Sequence, residues 1–513
     1  MKKLTLFFLS LFFVAGVGVA QSSKALLVID ADRPQFKIHK EIYGQFAEDL
    51  GAGIYGGIWV GKDSKIPNID GYRQDVVKAV RQLGVPVIRW PGGCFADQYH
   101  WMDGVGPQNK RKHMVNSNWG GVVEDNSFGT NEFLNFCELV GAEPYITGNL
   151  GSGTPQEMAD WIEYMTFDGR SPMADMRRAN GRDKPWRVKF FGIGNESWGC
   201  GGNMTPEYYS DLYRRYATFL HDFNSNKLYK IASGANTDDY NWTTVLMKNV
   251  GQRMDGISLH YYTIPRTWAD KGSATDFDTR EYLTSVEKTL YMNTLIRRHA
   301  AIMDQYDPQK KIGLIVDEWG IWTNVEPGTN PGFLFQQNSL RDAIIAALNF
   351  NIFNQHADRV QMANIAQMIN VLQSIILTKG DKMILTPTYY AFEMYKGHMD
   401  GQFLHSVLQC DSVNLGHEKT PMLNTTASMK DGVITLSIVN IDPETAVNLT
   451  CELQGGSFST LHGTILTSKN LNDINTFESP FNIQTKPFND VKLIHNNVTL
   501  LVPAKSIITL TIQ

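Results

Sequence analysis

The chain has 513 residues, a formal net charge of −5 from 47 Lys+Arg against 52 Asp+Glu, and an aromatic content of 11% that includes 11 Trp. That length suits about two to three domains of ~150 residues, or one α/β barrel of ~250 or more with a companion domain. No basic tract is long enough to follow a phosphate backbone, which argues against nucleic acid as a partner.

The N-terminus, MKKLTLFFLSLFFVAGVGVAQSSK, places two lysines before an apolar run from Leu4 that ends in small residues at Gly18 and Ala20. This pattern predicts a signal peptide over residues 1–20 and an exported, periplasmic or secreted protein. No later stretch reaches ~18 uninterrupted apolar residues, so no stable membrane span is expected after removal of the signal. The five cysteines, Cys94, Cys137, Cys200, Cys410 and Cys451, are too few and too scattered for a disulfide scaffold, and neither CxxC nor HExxH occurs.

Short strand-like runs then alternate with helical patterns. The runs are YGQFAED from Tyr43, VPVIRWPGG from Val85, EPYITGN from Glu143, VKFFGIGNE from Val188, KIASGAN from Lys230, GISLHYY from Gly256, KIGLIVDEWG from Lys311 and RVQMANIAQ from Arg359. Helical periodicity falls between them, as in GYRQDVVKAVRQLG from Gly71, GTNEFLNFCELVG from Gly129, TPEYYSDLYRRYATFLHDF from Thr205 and SLRDAIIAALNFNIF from Ser339. Thr205 followed by Pro206 reads as an N-cap with proline at the first helical position. Eight strand–helix repeats predict an α/β fold of the (β/α)8 TIM-barrel type over residues 43–385. An open doubly wound sheet is the competing architecture, but its nucleotide-binding form needs a glycine fingerprint after the first strand, which is missing; GNLGSG from Gly148 is a strand-end loop.

After about Thr386 the long helical patterns give way to β-rich runs such as GVITLSIVNI from Gly432, AVNLTCEL from Ala446 and VTLLVPAKSIITLTIQ from Val498. Turn residues between them predict a C-terminal β-sandwich, jelly-roll-like, over 386–513, joined by an N-terminal strand within 24–42.

Active sites of such barrels lie at the C-terminal ends of the strands. Polar residues fall there on seven of the eight: Glu48, Arg89, Asn149, Asn195 with Glu196, His260 with Tyr262, Glu318 and Gln367. A lone buried glutamate is commonly a satisfied polar group or a helix cap, but this many converging on one mouth is not. Two glutamates on different strands suit glycosidic cleavage, where one carboxylic acid protonates the leaving oxygen and one carboxylate meets the positive charge developing at the anomeric carbon. Glu196 and Glu318 are the candidates, and no cofactor is needed. A metal-dependent hydrolase using His260, Glu48 and Glu318 is the weaker reading, because no clustered His pair is present.

The motifs RWPGGCFADQYHWMDGVGP, GNESWGCGG, LHYY, VDEWG and ANIAQMINVLQ resemble, in order and spacing, those of the family-51 glycoside hydrolases, the α-L-arabinofuranosidases. The resemblance runs from about Tyr43 to the C-terminus and implies a retaining enzyme built as a (β/α)8 barrel with a β-sandwich. It implies Glu196 as general acid/base, Glu318 as nucleophile, and sugar contacts from Glu48, Arg89, Cys94, Asn195, His260, Tyr262 and Gln367. The implied partner is an arabinofuranose-containing poly- or oligosaccharide, and homo-oligomers are common in the family. The chain departs from the family at GQFAEDLGAG, where Asp49 and Ala52 stand in place of a histidine and a basic residue; this predicts an altered outer rim and leaving-side preference. Two other readings remain: an endo-glucanase or xylanase-like hydrolase, which an open cleft favours, and a non-catalytic carbohydrate-binding protein, which needs neither glutamate.

Overall fold

A computed structural model describes residues 23–513. The predicted signal segment lies outside the described residues.

Eight parallel strands, Gly44–Phe46, Val87–Trp90, Glu143–Gly148, Phe190–Ile193, Tyr229–Asn236, Gly256–Thr263, Gly313–Ile321 and Val360–Ile365, form a closed barrel. Each pairs with the next in sequence, and Asn364 opposite Gly44 closes the ring. These are the eight runs expected from the sequence. They are apolar along their length because helices cover the outside while side chains fill the inside, so both faces are buried. Val87, Tyr145, Phe190, Ile231, Ile315 and Met362 form the inner plug.

The helices follow from their apolar stripes and caps. Pro206–Phe219 begins where Thr205 accepts a hydrogen bond from the Tyr208 amide, and it buries Tyr209, Tyr213 and Tyr216 at i, i+4 and i+7. Leu340–Gln355 is different, being buried from Leu340 to Asn354 on every side. The cause is its position between the barrel and the C-terminal sheet: Asn351 and Gln355 reach across to Asn424 and the Thr425 carbonyl, at 2.7 and 3.1 Å. A further helix, Pro387–Tyr395, follows Thr386 and packs on the same element, with the Phe350 and Phe392 rings 4.7 Å apart.

The remaining chain forms a ten-stranded sheet in which Ser23–Lys37 lies between Gln402–Cys410, antiparallel, and Val447–Gln454, parallel. Alternate residues from strands far apart in the sheet, among them Leu27, Leu436, Leu449 and Leu510, share one apolar core separate from that of the barrel. This is the predicted second, β-rich body.

One glycine is dictated by a close approach. The Tyr229–Asn236 strand slips register against its neighbour between Ala232 and Ala235, and a Cβ on Gly234 would lie 1.7 Å from the Ser258 carbonyl oxygen. Gly234→Ala is expected to cost at least ~1–3 kcal/mol by overpacking, read as a lower thermal midpoint and lower soluble yield.

Candidate active site

The strand ends meet around one buried guanidinium. Arg89, on the second barrel strand, donates through Nη1 to Glu318 Oε1 at 2.8 Å and to the Asp317 carbonyl at 3.3 Å, and through Nη2 to Asn195 Oδ1. Its Nε lies 3.6 Å from Asp317 Oδ2, and its flat cation lies over the Phe46 ring, 4.6 Å from the centroid. Burial opposes the charge, but Asp317 and Glu318 outweigh it and hold the group firmly protonated.

Glu318 also accepts from the Tyr262 hydroxyl at 2.7 Å, and His260 Nδ1 stands 3.5 Å from its Oε2. His260 bridges two other carboxylates, with Nδ1 2.9 Å from Glu196 Oε1 and Nε2 3.1 Å from Asp317 Oδ1. Desolvation disfavours the imidazolium, yet Glu318, Asp317 and Glu196 push its pKa up to about 10. Asp317 is held below the usual carboxylate range: burial acts against this, and the charge of Arg89, then the His260 hydrogen bond, prevail.

Ligating atoms of Glu196, His260 and Glu318 all lie within 4.8 Å of one another. Such a trio invites the metal reading, but the donor set does not suit it. A protonated imidazole with both nitrogens committed to carboxylates has no lone pair to offer a cation.

Glu196 sits three residues past the end of the fourth strand, after Gly194 and Asn195, with a left-handed backbone at φ 39°. Only surrounding structure that over-determines it can hold a glutamate there. Asp97 supplies part of that, accepting the amides of Leu150, Gly151 and Asn195 at 2.8, 2.7 and 2.9 Å. Gly201 supplies more, since a Cβ at that position would fall 1.8 Å from the Asn195 carbonyl oxygen. Burial raises the Glu196 pKa and the neighbouring Glu318 adds to it, while the His260 contact lowers it. Its side chain is 18% exposed against 7% for Glu318, so of the two it is the one nearer solvent.

Glu48 and Gln367 form the opposite wall. Gln367 Nε2 donates to Glu48 Oε2 at 3.0 Å and its Oε1 accepts the Glu48 amide at 3.1 Å. Glu48 Oε1 also accepts the Phe95 amide and the Trp119 indole, at 3.0 and 2.8 Å. Burial, then repulsion from Glu318, pushes Glu48 up to about 7. With Leu50, Trp322, Leu334 and Leu372 these residues line a narrow cavity over Glu196 and Glu318. A larger hollow of about 580 Å³ opens near the strand starts, but its acids are already used: Asp307 pairs with Arg359 at 2.9 Å and Asp255 accepts the Lys230 amide at 2.8 Å.

The structure therefore brings Glu48, Arg89, Cys94, Asn195, Glu196, His260, Tyr262, Glu318 and Gln367 to one mouth. Cys94 is there as half of a disulfide with Cys200, not as a free thiol, and its Sγ lies 3.9 Å from Glu196 Oε2. Asn149 does not face the cavity; it organises its own loop, accepting the Ser152 and Gly153 amides, both at 2.9 Å. The expectation that Asp49 and Ala52 shape the rim is also corrected. Asp49 is buried away from the cavity near Glu124 and Asp125, where burial first and those charges next raise its pKa well above the ordinary value. Ala52 is exposed and only lends its carbonyl to Asn370, at 2.8 Å.

Sequence reasoning missed Asp317, Trp119 and Trp322. Asp317 is adjacent to Glu318 in VDEWG, and strict strand alternation would turn it away; a register shift between Val316 and Trp319 lets both face the site.

A closed parallel barrel with two close carboxylates at its C-terminal mouth defines a glycoside hydrolase. Residues 79–281 match the α-L-arabinofuranosidase 1 domain and residues 317–506 the α-L-arabinofuranosidase C-terminal domain. An intracellular exo-α-L-arabinofuranosidase of Bacteroides ovatus is 54% identical over 504 residues, covering 98% of both chains. Among solved structures, the GH51 arabinofuranosidase of Xanthomonas axonopodis pv. citri superposes with a TM-score of 0.95 at 50% identity, covering 96% of this chain and all of that one. The Thermotoga maritima α-L-arabinofuranosidase, an arabinose complex, gives 0.81 at 28% identity over 96% and 99% of the chains. The chain belongs to the α-L-arabinofuranosidases of glycoside hydrolase family 51.

The expectation of export is corrected by the same comparison, because the B. ovatus relative is described as intracellular and matches almost end to end. Two lysines before an apolar run are a compositional signature only, and such an opening does not by itself commit a chain to secretion.

The carboxylate–imidazole–carboxylate chain makes a measurable statement. His260 is expected to keep its proton up to about pH 10, followed by histidine ring NMR. Asp317→Asn should lower that midpoint by roughly one to three units, because a carboxylate hydrogen-bonded to the imidazolium is removed.

Proposed function

We propose that this chain is a retaining, exo-acting α-L-arabinofuranosidase that releases terminal non-reducing α-L-arabinofuranosyl units from arabinan, arabinoxylan or arabino-oligosaccharides. The observation that carries the reading is the pair Glu196 and Glu318, with oxygens within 4.8 Å of each other. Retaining hydrolases hold their two carboxyl groups ~5–5.5 Å apart, whereas inversion needs ~6.5–9.5 Å to admit water.

In the first step Glu318, aimed by Arg89 and Tyr262, attacks the anomeric carbon while Glu196 gives its proton to the departing oxygen. The bond to the leaving group breaks and a glycosyl ester on Glu318 forms. Burial favours the protonated form of Glu196 that this step needs. Esterification then removes the Glu318 charge that opposed ionisation of Glu196, so Glu196 can take a proton from the incoming water. Attack of that water breaks the ester and frees arabinose with its configuration retained. Asn195, tied to Arg89, is suited to a hydroxyl next to the anomeric carbon, and Glu48 with Gln367 to hydroxyls at the far end of the ring. A narrow cavity walled by Glu48, Gln367, Trp119 and Leu372 supports terminal over internal cleavage. Self-association into homo-oligomers belongs to the same reading and is checked by sedimentation.

Glu318→Ala is expected to lower turnover by roughly 10⁴-fold or more with the fold intact by circular dichroism. Glu196→Ala should lose ~10²–10⁴-fold on natural oligosaccharides, yet keep the first step on aryl arabinofuranosides, whose leaving groups need no proton. Near wild-type turnover of oligosaccharides by either variant, or NMR of the first-formed product showing inversion, would refute the assignment.

A further inference from the structure

A row of aromatic rings leads out of the cavity beside Glu318. Tyr262, which donates to the nucleophile, meets the edge of Trp322 at a centroid distance of 5.1 Å, and Trp322 in turn meets Trp268 at 5.3 Å. Trp322 lines the cavity, whereas Trp268 lies one ring beyond it and is 65% exposed. A single exposed aromatic is ordinary on a protein surface, so what singles Trp268 out is its continuity with the cavity wall.

Trp268 is nevertheless held in place. Lys271 Nζ lies 4.8 Å from the Trp268 ring centroid and 5.3 Å from that of Trp322, and donates to the Trp268 carbonyl at 2.9 Å. The loop is pinned to the segment after the seventh strand, with Asn324 donating to Asp270 at 2.7 Å and accepting the Lys271 amide at 3.0 Å. Arg266 adds an ion pair with Glu281 at 2.7 Å. A rigid exposed indole, continuous with the wall of a sugar pocket, is what the C–H face of a sugar ring stacks on with little loss of side-chain entropy.

We propose that Trp268, steadied by Lys271 and backed by Trp322, is a stacking platform for the glycan chain on the leaving side of the scissile bond. Its ligand is a sugar at least one residue beyond the one joined to the departing oxygen. The inference rests on the arabinofuranosidase reading and deepens it: the enzyme selects arabinosyl groups borne on a chain over those borne on a small aglycone. Furanose rings of an arabinan and pyranose rings of a xylan both present such C–H faces, and substrates of both kinds separate the two sources.

The test compares Trp268→Ala, Trp268→Phe and wild type on an aryl α-L-arabinofuranoside, a linear arabinotetraose and an arabinosylated xylotetraose. For Trp268→Ala the ratio of kcat/KM on at least one tetrasaccharide to that on the aryl glycoside should fall roughly tenfold, through KM and not kcat, about the size of one lost stacking contact. Trp268→Phe should recover part of it, and the tetrasaccharide that suffers more identifies the chain the platform takes. An unchanged ratio on both tetrasaccharides would overturn the proposal. So would a change in sedimentation coefficient with equal losses on all substrates, which would assign Trp268 to a contact between copies of the chain. Failure of the wild type to hydrolyse the aryl arabinofuranoside would instead refute the underlying activity.

Discussion

A single buried cation organises the catalytic mouth. Arg89 touches Glu318, Asp317 and Asn195, residues delivered by two strand ends that are far apart in the chain. Removing its charge would leave Asp317 and Glu318 buried with only the His260 imidazolium to offset them, a penalty larger than any one of its hydrogen bonds is worth. The aromatic faces of Phe46 and Tyr145 beside it, at 4.6 and 5.7 Å, restrain the guanidinium to one plane and so fix the direction from which Glu318 is presented.

Around that cation the site crowds acids whose environments differ. Asp317 is stabilised as the anion, while Glu48 and Glu196 are pushed toward the neutral form by burial and by Glu318. Such separation lets chemically identical side chains take different parts in one reaction. His260 couples them, contacting Glu196 and Asp317 through opposite ring nitrogens, so a change at Asp317 is felt by a carboxylate it never touches.

Much of this was legible in the sequence. Barrel strands announce themselves as short apolar runs because both faces are buried, and the catalytic residues sit where those runs end. The C-terminal sheet was legible from alternation between turn residues. What escaped was what depends on departures from periodicity or on loop geometry. Asp317 reaches the site only through a slipped register, and Trp119 arrives from a loop between small hairpin strands. Asn149 stands at a strand end like the others, yet the tight turn at 149–153 consumes its side chain. Asp49 follows Glu48 directly, but in the irregular chain past the first strand it turns away and is buried near Glu124 and Asp125. Pairing of Cys94 with Cys200, 106 residues apart, has no local signal.

The wall formed by Glu48, Gln367 and Trp119 has a kinetic meaning. A cavity sealed behind one sugar admits a chain only by its tip, so the usable substrate concentration is the number of tips and not the mass of polymer. A densely branched glycan then presents far more reactive positions per gram than a linear one of equal weight. Enzymes that cut backbones internally raise this one's flux by multiplying ends without altering its active site.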